Sequence, residues 1–122
     1  VTQENLDGMA KAIAEQEGFG VPGARPTRNC NPGDLRSWPG YPQDDGGFSI
    51  FPDDATGWEK LHLDLTNHAA HYPDQTIEQF IAGDGAGWPG YAPASDANDS
   101  AGYALSLARA LGVETGTTFA EL

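Results

Sequence analysis

The chain has 122 residues and a mass of 12.9 kDa, one domain's worth, and 39% of its residues are hydrophobic, with three Trp, four Tyr and five Phe. That is enough to build a core and excludes a fully disordered chain. Six Lys and Arg against eighteen Asp and Glu leave a net charge of −12, which excludes DNA, RNA and anionic membrane surfaces as direct partners, since binding them requires cationic side chains. Gly and Pro make up about a fifth of the chain, more than an all-helical bundle tolerates, so shaped loops are expected. The single Cys30 excludes an internal disulfide framework and any multi-cysteine zinc site. No apolar run approaches the length needed to span a bilayer, and the first residues carry no export signal, as expected of a trimmed or excised domain or of export by another route.

Taken in chain order, residues 5–17 repeat Leu6, Met9, Ala10, Ile13 and Ala14 at helical spacing, with Asn5 as the expected N-cap and Gly18 as the stop. Residues 20–47 hold five prolines among many glycines, and no helix is expected there. Asp45-Gly46-Gly47 reads as a turn into a short strand, Phe48-Ser49-Ile50-Phe51. Asp53 or Asp54 should cap a helix with Trp58, Leu61, Leu65, Ala69 and Tyr72 on one face, ended by Pro73. Thr76 and Gln79 have capping-box spacing ahead of Phe80 and Ile81. A further Gly-Pro loop, residues 83–97, leads to a helix capped by Asp99 or Ser100 and closed by Gly112. The expected fold is α+β: one mostly helical domain over 1–122, with a small β element and a long Pro/Gly-rich middle segment.

Glu17 is the residue with chemistry to offer. At 100° per residue it lies about 40° from Ile13, on the face that should be buried, whereas Glu15 points about 160° away. A carboxylic acid at the end of an apolar stripe loses solvation, and a raised pKa is what a general acid working near neutral pH needs. The plainer alternative is a carboxylate reaching out of a fraying turn or pairing with a nearby Arg. The run Arg28-Asn29-Cys30-Asn31-Pro32-Gly33-Asp34-Leu35-Arg36 is a turn whose asparagines bond either backbone or ligand.

Together, Glu17-Gly18-Phe19 at the end of a helix and this Asn-Pro-Gly run resemble the lysozyme-like superfamily. They are most similar to small phage and bacterial proteins related to lytic transglycosylases and goose-type lysozymes. Gly47-Phe48-Ser49-Ile50-Phe51 leading to Gly57-Trp58, and Tyr91-Ala92-Pro93 leading to Asn98-Asp99-Ser100, continue the likeness in order, over roughly residues 9–112. Cys30 and Asp34 depart from it, standing where such runs usually carry Asn, and Gly18 replaces the Ser that follows the acid in typical transglycosylases.

The resemblance implies a lysozyme-like fold that cleaves the β-1,4 bond of peptidoglycan, with Glu17 as catalytic acid. A second carboxylate, required of an inverting hydrolase, would come from Asp34, Asp44 or Asp45. Asn29, Asn31, Arg36, Phe51 and Tyr91 are the implied substrate-binding residues. The implied protein is a monomer, secreted, periplasmic or virion-associated, that uses no cofactor and no metal and has an aminosugar polymer as its partner. A chitin-cleaving enzyme and a non-catalytic virion or wall-binding domain are the alternatives. Outside this set, His62, His68 and His71 read as surface histidines, and Asp96, Asn98 and Asp99 as capping residues. Trp38, Tyr41, Trp88 and Tyr91 are either sugar-stacking or loop-plugging aromatics.

Overall fold

The computed structural model describes residues 1–122. It is mostly helical: α1 (Gln3–Glu17), α2 (Arg25–Arg28), α3 (Asp54–His71), α4 (Ile77–Ala82) and α5 (Ser100–Leu111), with 3-10 turns at Ala94–Asp96 and Phe119–Glu121. No helix is long and apolar enough to cross a membrane. The chain divides into two compact units, one of Val1–Met9 with Thr66–Leu122 and the other of Ala10–Leu65.

In the first unit, α4 packs on α5 and buries Ile77, Phe80 and Ile81 against the Tyr103, Ala104, Leu107 and Ala108 face. The helix ends are built as the sequence suggests. Thr76 and Gln79 form a complete capping box, and the Asp99 carboxylate accepts the Gly102 N–H at 3.0 Å. Gly112, at φ 70°, closes α5 in the left-handed conformation, with Val113 N–H bonding back to the Ala108 carbonyl. The N-cap of α1 is Thr2, not Asn5: Thr2 Oγ1 accepts the Asn5 N–H, and the helix starts two residues early. Asn5 is drawn off because its amide donates to the Leu122 carbonyl at 2.7 Å, tying the two chain ends together.

The second unit holds most of the irregular chain. The proline argument fails at one turn, α2, because Pro26 occupies the start of a helix, where a missing N–H costs nothing. The expected strand at Phe48-Ser49 is reduced to two isolated antiparallel bridges, Arg36 with Phe48 and Gln43 with Ser49. A third bridge, Thr76 with Thr118, lies in the first unit. Polar side chains replace the missing ladder. Asn31 is wholly buried; its Nδ2 donates to the carbonyls of Leu35 and Ser49 and its Oδ1 accepts the Leu35 N–H, all at 2.9 Å. Gly57 lets α3 press on this loop, since a Cβ there would lie 2.0 Å from the Cys30 carbonyl oxygen.

Candidate active site

Glu17 is the last residue of α1. Gly18 turns left-handed at φ 85°, its N–H bonds the Glu15 carbonyl, and Phe19 N–H bonds the Ala14 carbonyl at 2.9 Å. This pair of bonds is a Schellman closure, and it fixes the backbone from which the Glu17 carboxylate projects. Glu17 is partly buried and Glu15 exposed, in line with the helical-face arithmetic. Phe19, just beyond the turn, meets Trp58 of α3 edge-on at 5.5 Å.

Arg25 feels the charge of Glu17. Its hydrogen bonds to Asp34 hold the guanidinium pKa above its ordinary value, and the charges of Asp34, Asp44 and Glu17 add to the effect. Arg25 Nε and Nη2 engage both oxygens of Asp34, whose side chain is 5% exposed. The same guanidinium lies over the Phe48 ring, 3.5 Å from its centroid, and that of Arg36 lies 4.2 Å from the same centroid. Asp44 accepts from Asn29 Nδ2 at 2.9 Å and from the backbone N–H groups of Gly46 and Phe48. The bond from Asn29 is the largest influence holding the Asp44 carboxyl below its usual range.

The structure therefore gathers Glu17, Arg25, Asp34, Asp44, Phe48 and Arg36 in one unit, but it assigns several residues other work than ligand contact. Asn31 has no exposed surface and braces the loop; Asn29, 6% exposed, serves Asp44. Phe51 is 3% exposed and packs edge-on against Tyr41 at 5.0 Å, so it is a core residue. Asp45 is exposed on the turn. Tyr91 belongs to the other unit, partly buried against Phe80 and Tyr103. Burial raises the Cys30 thiol pKa, and Asp54 adds to that effect, so Cys30 is not a thiolate nucleophile. No group of three or more His, Cys, Asp or Glu side chains is arranged to hold a metal ion.

Two titratable residues were misjudged or missed. His68 is not a surface histidine: it is 8% exposed, with Tyr72, Phe80, Trp88 and Phe119 around its ring at 4.5–5.2 Å. The ionised Asp84 only accepts, so Gln75 Nε2 donates to it, Gln75 Oε1 faces His68 Nε2, and that nitrogen carries the proton. Desolvation is the main cause of a His68 pKa below the ordinary value. Asp64 escaped notice although it is four residues from Lys60 and about 60° from Leu61 on α3. Burial pushes its carboxyl pKa up to about 6.

No family model, curated protein or solved structure matches the chain.

Proposed function

We propose that the chain cleaves the glycan strand of peptidoglycan at the β-1,4 bond between N-acetylmuramic acid and N-acetylglucosamine, with Glu17 as general acid. The observation that carries this reading is the setting of Glu17: a partly buried carboxyl at the end of α1, on a backbone locked by Gly18. The serial likeness of its motifs to lytic transglycosylases and goose-type lysozymes agrees with that setting.

The carboxylates around Glu17 favour the route that needs one acid. Both oxygens of Asp34 are committed to Arg25, Asp44 is a hydrogen-bonded anion of lowered pKa, and Asp45 stands out on a turn. None is presented as a base that would activate water. Glu17 would protonate the glycosidic oxygen as the bond breaks, then accept a proton from the sugar's own 6-hydroxyl as that oxygen closes on the anomeric carbon. The product is an anhydro end, as in lytic transglycosylases. An enzyme of this kind works where peptidoglycan is exposed: secreted, periplasmic or virion-associated.

Mass spectrometry of purified peptidoglycan after incubation with the protein tests the reading. Anhydro muramic ends are expected, and Glu17→Gln should lower their formation by about 10²-fold or more while the fold persists. Glu15→Gln, on the exposed face, should change little. No cleavage by the wild-type chain, or equal losses in both variants, would sink it.

A further inference from the structure

The unit of Val1–Met9 and Thr66–Leu122 contains a cavity of about 350 Å³, where the end of α3 meets α4 and the loop at residues 84–86. That volume lies in the range of small-ligand pockets. Gln75, on its wall, is only 5% exposed, whereas Asp74, Gln79 and Ala86 are exposed, so the cavity opens to solvent.

The polar groups on the wall are fixed from behind. His68 Nε2 donates to Gln75 Oε1, which turns Gln75 Nε2 toward Asp84 Oδ2 at 3.1 Å. Asp84 Oδ1 accepts the N–H groups of Ala86 at 2.8 Å and Trp88 at 3.0 Å. The Gln75 carbonyl accepts the Phe119 N–H, and the Asp84 N–H bonds the Trp88 carbonyl, both at 3.1 Å. These side chains are set before any ligand arrives. Gln75 Nε2 then keeps one N–H to give, and Asp84 Oδ2 one lone pair. Gln79 Oε1 is used by the Thr76 N–H, which leaves the Gln79 amide NH2 to donate. The Tyr72 hydroxyl makes no hydrogen bond, and its ring rests on His68 at 4.7 Å.

This mixture of donors and acceptors selects the ligand. A cation would suit the carboxylates of Asp74 and Asp84 but would face the N–H groups of Gln75 and Gln79. An anion would meet both carboxylates, and Asp84 stays ionised, its carboxyl held below the usual range chiefly by the Ala86 N–H. A hydroxyl both donates and accepts, and a ring of hydroxyls with an apolar face suits Tyr72. We propose that this cavity binds one neutral sugar residue of a glycan, whose neighbours leave through the open mouth. The inference is independent of the cleavage reading, since Glu17 belongs to the other unit.

Amide NMR titration of the whole chain tests it, with N-acetylglucosamine, its β-1,4-linked trimer, methylammonium and acetate as probes. Both sugars should give saturable shifts at the Gln75 and Gln79 side-chain amides and the Ala86 N–H, and the two ions should not. Gln79→Glu keeps the acceptor for the Thr76 N–H, so α4 stays capped, but it exchanges a donor for a charge. It should weaken sugar binding about five-fold, the worth of one ordinary hydrogen bond. Tyr72→Phe, which keeps the ring on His68, should weaken it by a similar factor. No sugar-induced shift at these amides overturns the proposal. So does a response to methylammonium that tightens in Gln79→Glu, the mark of a cation site. Sugar affinity unchanged in both variants overturns it too, and a response to the monosaccharide but not the trimer overturns the assignment to a glycan.

Discussion

The two units solve the same problem by different means. The unit of Val1–Met9 and Thr66–Leu122 buries apolar and aromatic faces of capped helices, and a backbone bridge between Thr76 and Thr118 fastens its last turn. The unit of Ala10–Leu65 has buried apolar residues from α1 and α3, but its loops are organised by Asn31, Asn29, Asp44, Ser49 and the Arg25–Asp34 pair. Charge follows the same division. Five of the six basic residues fall in the second unit against nine carboxylates, while the first has Arg109 alone against nine. The candidate site lies in the unit that holds most of the basic residues.

The contrast predicts where the molecule is least forgiving. Gly57→Ala should be the most damaging small change, costing at least about 3 kcal/mol, because the new methyl would meet a backbone carbonyl that cannot swing aside. In the first unit, a Cβ at Gly102 would also be crowded, 2.4 Å from Asp99 Oδ2, but that is a side-chain tip, which can move. Thermal denaturation of both Ala variants should therefore show a much larger drop for position 57. Equal drops would mean that the loop yields as easily as a side chain.

Next comes the brace itself. Asn31→Ala removes three buried hydrogen bonds and leaves their backbone partners dry, at a cost of about 2–3 kcal/mol. Amide exchange should accelerate at Leu35 and at the neighbouring loop N–H groups while the α4 and α5 amides keep their protection. A uniform acceleration in both units would break the comparison.

How much of this was legible divides along the same line. Helices α3, α4 and α5, with their caps at Asp53, Thr76 and Asp99, could be read from periodicity and capping chemistry, because both are local. The start of α1 could not, since Asn5 is claimed by Leu122 from the far end of the chain. The strand at Phe48-Ser49 was over-read for a related reason: alternation signals an extended chain, but here Asn31 and Asp44 take bonds that a neighbouring strand would have made. The partial burial of Glu17 and the exposure of Glu15 follow from helix geometry alone. The pairing of Arg25 with Asp34 depends on tertiary structure that no spacing encodes. His68 was misjudged because its cage draws on Trp88 and Phe119, which are distant in sequence.

Two desolvated titratable groups, the partly buried Asp64 and the buried His68, one in each unit, should pull stability in opposite directions with pH. The Asp64 carboxyl is raised to about 6 in the folded chain, so the fold binds its proton more readily than the unfolded chain does. Its contribution is present below about pH 4 and is lost as pH rises through 6. Asp64→Asn should thus stabilise the protein at pH 7 by up to about 2 kcal/mol and have little effect near pH 4. His68 has the opposite sign. Its lowered pKa means that the unfolded chain takes up the proton first, so stability is lost as pH falls below about 6.5. Urea denaturation of the wild type, Asp64→Asn and His68→Gln between pH 4 and 8 separates the two slopes. A pH-independent gain in Asp64→Asn would remove the desolvation account of Asp64.

The smallest effect tests backbone strain in each unit. Cys30 and Ala97 both adopt left-handed conformations, at φ 50° and 62°, where a Cβ is crowded by the backbone at a cost of about 1–2 kcal/mol. Ala97 ends an exposed 3-10 turn and has no buried contact to lose, so Ala97→Gly should stabilise by about 1 kcal/mol, a rise in Tm of a few degrees. Cys30→Asn places there a residue that tolerates this region of φ well. Its gain should be smaller, because the thiol is partly buried near Asp54 and a larger amide must find room beside α3. Asp34 shares the conformation at φ 51°, yet Asp34→Asn should destabilise, since the amide loses the ion pair with Arg25 that the carboxylate provides. Should Cys30→Asn gain more than Ala97→Gly, the irregular loop has room that the packing of Gly57 against Cys30 denies it, and the picture of a tightly braced second unit would be wrong.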